Sequence, residues 1–85
     1  MQRDCLILFR SLTYTQRAVH ILERGGITAT IRRVPQGLTD RGCTYAVRVR
    51  SQRLSQALTL LSQQNQPHGK VFAMEADGSY MEVRP

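Results

Sequence analysis

A chain of 85 residues with 41% hydrophobic and 21% charged side chains is composed as one small folded domain, 1–85, which excludes the disordered and low-complexity classes. A net charge of +6 draws anions, whether nucleic acid, an acidic protein or a charged small molecule, without choosing among them. The longest apolar run, Cys5 to Phe9, is too short to cross a bilayer, and the N-terminus lacks the basic-apolar-small order of a signal peptide, so a cytoplasmic chain with no membrane partner is expected.

The stretch from Asp4 to Arg10 is apolar on both parities, as a strand covered on both faces is. Ser11-Leu12-Thr13-Tyr14-Thr15-Gln16 then offers hydroxyl caps, including a Thr13-x-x-Gln16 capping box, and predicts a helix start between Ser11 and Thr15. Tyr14, Ala18, Ile21 and Leu22 recur at helical spacing as its inner face, and Gly25-Gly26 ends it. Ile27 to Val34 mixes β-branched residues with arginine, the composition of a half-exposed edge strand, which Pro35 closes. Thr44 to Arg50 alternates, with Tyr45, Val47 and Val49 facing in and Arg48 and Arg50 facing out. Ser51 is placed to cap a second helix carrying Leu54, Ala57, Leu58 and Leu61. Its glutamine-rich tail, Gln63 to Gln66, reads as a solvated exit. Val71 to Met74 is a strand, and Asp77-Gly78 turns it back into a last short strand over Ser79 to Val83. Strand, helix, strand, strand, helix, strand, with the extra hairpin strand, is the order of a ferredoxin-like βαββαβ α+β sandwich.

Between the second and third strands lies the loop Val34 to Cys43, which starts at a proline, passes two glycines and ends in a thiol. Arg32, Arg33, Arg41 and Arg48 crowd it in sequence, and positive charge favours the reactive thiolate. In the ferredoxin-like arrangement Cys43 falls beside Phe9-Arg10-Ser11 and the first turn of the first helix, whose positive end favours the thiolate again. An ordinary turn ending in a half-buried cysteine is the other reading, because cysteine is among the most often buried residues. Cys5 starts the first strand, at the far end of the sheet from Cys43, so two unbridged thiols are expected, with Cys5 as core packing.

Neither CxxC nor HxxxH spacing is present and His20 and His68 are isolated, so neither a metal nor a cofactor is expected. The open face of the expected sheet shows Leu6, Leu8, Ala46, Thr28, Thr30, Arg32 and Arg48. That surface is basic without an aromatic platform, which makes nucleic acid an unlikely partner. The two leucines on it invite a second copy, so a homo-oligomer through this face is expected to be open to so small a domain.

Phe9-x-Ser11, Ala18, Ile21-Leu22, Gly26-Ile27, Pro35, Thr39, Gly42-Cys43, Ala46 and Arg48, in that order, resemble the pattern of the putative selenium/sulfur carrier protein-like family. The resemblance covers roughly Leu6 to Leu61. Thr44 stands where the family has a glycine after its cysteine, and Gln36 where it has an arginine after its proline. The resemblance implies a carrier thiol at Cys43 that holds sulfur or selenium as a persulfide or selenosulfide for transfer to a partner protein. Ser11 would stabilise charge there, Arg41 and Arg48 would lower the thiol pKa, Arg33 and Arg41 would stand in for the arginine that Gln36 replaces, and Pro35 and Gly42 would shape the loop. No general base is visible beside the thiol, so a carrier and not an autonomous enzyme is implied. An acidic donor or acceptor protein suits the charge. The alternative is an interaction or regulatory module whose cysteine is structural, and after it a basic nucleic-acid-binding domain.

Overall fold

The computed structural model describes residues 3–35, 37–38 and 42–83. Strand β1 (Asp4–Phe9) is followed by helix α1 (Leu12–Arg24), β2 (Thr30–Arg33), β3 (Tyr45–Arg50), a 3-10 turn at Ser51–Arg53, helix α2 (Leu54–Gln63), β4 (Val71–Met74) and β5 (Tyr80–Val83). The strands form one antiparallel sheet in the order β2-β3-β1-β4-β5, an α+β arrangement. The central strand is the one that the run of apolar residues on both parities requires: Cys5 to Phe9 are all buried. The outer strand β2 has four exposed residues, as an edge allows.

Both helices lie on one face. Cys5, Ile7 and Phe9 of β1 meet Val47 and Val49 of β3, Ala18 and Leu22 of α1, Ala57 and Leu61 of α2, and Ile27, Ala29 and Val71 in a single buried cluster. Burying side chains of this size contributes about 1.5–3 kcal/mol each relative to leaving them exposed. Leu6, Leu8, Ala46 and Cys43 form a second buried cluster on the other face, joined by the half-buried Val34, Leu38, Phe72 and Tyr80.

Local chemistry sets the helix ends. Ser11, not Thr13, caps α1: its Oγ accepts from the Tyr14 N–H at 3.1 Å, which satisfies one of the donors that a helix start leaves over. The inner face turns accordingly. Thr15 is fully buried while Tyr14 is 39% exposed, because the Thr15 hydroxyl donates to the Ser11 carbonyl at 2.7 Å and so enters the core satisfied. Gly25 ends α1 as read, its N–H donating to the Ile21 and Leu22 carbonyls. Ser51 makes no side-chain cap, and the chain enters α2 through the 3-10 turn instead. The glutamine tail is only partly solvated: Gln66 is buried, with its Nε2 donating to the Pro67 carbonyl at 3.2 Å. The β4–β5 hairpin turns where Asp77-Gly78 predicts. Gly78 takes a φ of 88°, and the Ser79 N–H donates to Asp77 Oδ1 at 2.9 Å.

Candidate functional site

The loop after β2 packs Val34 and Leu38 on the sheet face that the helices leave open. Val34 holds its start, its N–H donating to the Thr44 carbonyl at 3.0 Å, and Leu38 donates to the Pro35 carbonyl at 3.1 Å. Pro35 is half-buried. Gly42 turns the chain back with a φ of 85°, a conformation that side chains resist, and it delivers Cys43 onto Leu8, Leu6 and Ala46.

Three expectations change here. Cys43 is not on display: it is 3% exposed, because Val34 and Leu38 fold back over the cluster that holds it. Nor does it pack on the helix side of the sheet. The regular alternation of β3 breaks at Thr44, outside the strand, so Cys43 joins the cluster on the face away from the helices. Leu6 and Leu8 are buried as well, 4% and 0% exposed, in the cluster that Val34, Leu38, Phe72 and Tyr80 flank, and that removes the apolar surface through which a second copy was expected to dock.

Of the other candidate residues, Ser11 is occupied as the α1 cap. Arg48, on β3 opposite Leu6 of β1, faces Asp4, Nη1 to Oδ2 at 3.6 Å, so a carboxylate shares part of its charge. Arg33, at the end of β2, holds its guanidinium 5.8 Å from the centre of the Tyr45 ring, a cation–π arrangement. Arg41 lies outside the described residues, as does Thr39 of the family pattern. Neither Cys43 nor Cys5 is in a disulfide. Burial pushes the Cys5 thiol above its ordinary pKa, with the Asp4 charge adding to the effect, as inert core packing requires.

Sequence reasoning missed four contributors. Gly69 lies under the Cys43 sulfur, and its N–H donates to the Leu8 carbonyl at 2.7 Å. A glycine at the mouth of a strand is a sign of such close approach. Leu38 inside an otherwise polar loop is the sign that the loop packs down. Phe72 and Tyr80 join the cluster on the open face, which is therefore not free of aromatic rings. Pairing of Phe72 with Leu6 fixes that parity.

The arrangement shelters one thiol beneath a short apolar cover, beside a basic edge. Among the described residues no cluster of three or more His, Cys, Asp or Glu could hold a metal ion, and no helix is long and apolar enough to cross a membrane.

Fold and site together define a small α+β protein built around one sheltered loop cysteine. The chain belongs to the Putative Se/S carrier protein-like family, whose model matches residues 4–73, from the first strand through the cysteine loop into β4. No curated protein and no solved structure matches the chain.

Proposed function

We propose that this chain is a single-domain, non-enzymatic carrier that holds sulfur or selenium on Cys43. The observation carrying this reading is the family match, which spans the loop and its cysteine. The Cys43 thiolate attacks the outer sulfur of a donor persulfide. A sulfur–sulfur bond forms at Cys43, the donor's own bond breaks, and the donor thiolate leaves with the electron pair, so no oxidant is consumed. An acceptor nucleophile reverses the step elsewhere.

Burial gives the carrier its second property. The cover formed by Val34 and Leu38 must lift for loading, and once lowered it keeps small thiols from stripping the cargo. Pro35 and Gly42 hold the cover's shape, and Arg33, Arg41 and Arg48 draw an acidic donor or acceptor. A cytoplasmic setting keeps the thiol reduced between cycles. The strand order β2-β3-β1-β4 supports reading the domain as ferredoxin-like, with β5 added at the edge.

The 3% exposure of Cys43 favours a second reading, an interaction module in which the cysteine only packs. Incubation with a cysteine desulfurase and free cysteine, followed by mass spectrometry, separates the two. A carrier gains one sulfur on Cys43; Cys43→Ser stays folded by circular dichroism and gains none, and Cys5→Ser still loads. No loading of the wild-type chain, or full loading of Cys43→Ser, defeats the carrier reading.

A further inference from the structure

We infer that the outer edge of β2 docks an extended acidic segment of a partner protein, which adds to the sheet as a further strand. β2 has β3 on one side and, among the described residues, no strand on the other. The Val34 N–H donates to the Thr44 carbonyl in the register that pairs Thr30 with Arg48 and Arg32 with Ala46. Antiparallel alternation therefore assigns the inward bonds to positions 30, 32 and 34, and turns the N–H and C=O groups of Ile31 and Arg33 outward. Those groups are a template for main-chain pairing.

The side chains select the occupant. Ile31 shares a row with the buried Val47 on the helix side and is 38% exposed, leaving an apolar place beside it. Thr30 and Arg32 share rows with Arg48 and Ala46 on the other face. Neither Arg32 nor Arg33 meets a carboxylate among the described residues. A second copy of the same strand would bring guanidinium against guanidinium. A partner strand with acidic side chains toward Arg32 and an apolar one beside Ile31 satisfies both faces. β2 runs directly into Val34, which packs on the Cys43 cluster, so the docked strand lies next to the cover of the thiol. The inference rests on the carrier reading for what the partner exchanges, but not for the docking itself.

The test is a titration of the isotope-labelled full chain with a short capped peptide of alternating glutamate and valine, followed by amide NMR. The expected result is that the Ile31 and Arg33 amides shift and become protected from exchange, and that Arg32→Ala weakens binding about tenfold. Ile31→Pro keeps every charge and the inward donors but removes one outward N–H, and should abolish binding. Because that variant risks misfolding, a peptide N-methylated on the amides that face β2 is the second arm, and it too should fail to bind. Cys43→Ser should bind as tightly as the wild-type chain, so docking and sulfur loading fail separately. Equal binding of the lysine–valine peptide, undiminished binding of the N-methylated peptide, or an oligonucleotide that binds β2 regardless of Ile31→Pro would each overturn the assignment.

Discussion

The sulfur of Cys43 lies 3.0 Å from the point where a side chain on Gly69 would begin, with the Leu8 carbonyl at 3.4 Å behind it. A methyl group there is tighter than packed atoms ordinarily sit, so the sulfur must give by a few tenths of an ångström beneath its cover. Gly69→Ala should therefore destabilise the fold by about 1–2 kcal/mol, read from urea unfolding. The same substitution in a Cys43→Ala background should cost clearly less, because the clashing atom is gone. Additive costs would mean that the two residues do not press on each other.

Access to Cys43 should be governed by the cover. Leu38→Ala removes apolar contact from the loop and leaves the strands intact, so local opening becomes easier while global stability changes little. Alkylation of Cys43 in the native chain should be slow, and about tenfold faster in Leu38→Ala if roughly 1.4 kcal/mol of cover packing is lost. Equal rates in both proteins would show that opening takes another route.

Ser11 tests the assignment of a cap against that of a thiol partner. Ser11→Ala leaves the Tyr14 N–H without its acceptor and should lower stability by about 1 kcal/mol. The alkylation rate of Cys43 should stay as it was, since the hydroxyl serves the helix. A change in thiol reactivity at unchanged stability would return Ser11 to the site.

Cys5 gives the fold an alkaline limit. Burial, aided by the Asp4 charge, raises its pKa in the folded chain above the ordinary 9.0. Between those two values the unfolded chain holds fewer protons than the folded one, so stability is fully present below pH 9.0 and falls as pH rises toward the folded value. The slope from this group is at most about 1.4 kcal/mol per pH unit. Unfolding midpoints of the wild-type chain and of Cys5→Ala should diverge less as pH rises through that window, because the variant lacks the titrating thiol. A constant difference would contradict the shift.

Periodicity along the chain was enough to read the order of strands and helices, because β1 is apolar on both parities and β3 alternates. It was not enough for the site. Glycines at 37 and 42 mark a surface loop, but whether such a loop stands away or lies down depends on Val34 and Leu38 finding a sheet face formed by distant segments. The place of Phe72 likewise follows from its pairing with Leu6, a contact between the two ends of the chain that no local pattern announces. Thr15 was missed for a different reason. Hydropathy counts its hydroxyl as polar, while the bond to the Ser11 carbonyl makes it fit for the core.

Because β1 lies between β3 and β4, it leaves the ribosome before both of the strands that pair with it. Its run from Cys5 to Phe9 therefore stays without a mate until β3 and β4 follow, as a sticky apolar ribbon. Antiparallel sheets closed by such distant pairings form slowly, and unpaired strands of this kind are where nascent chains cling to one another. Yield in the cell should thus depend on how quickly the segment from β3 to β4 is translated after β1.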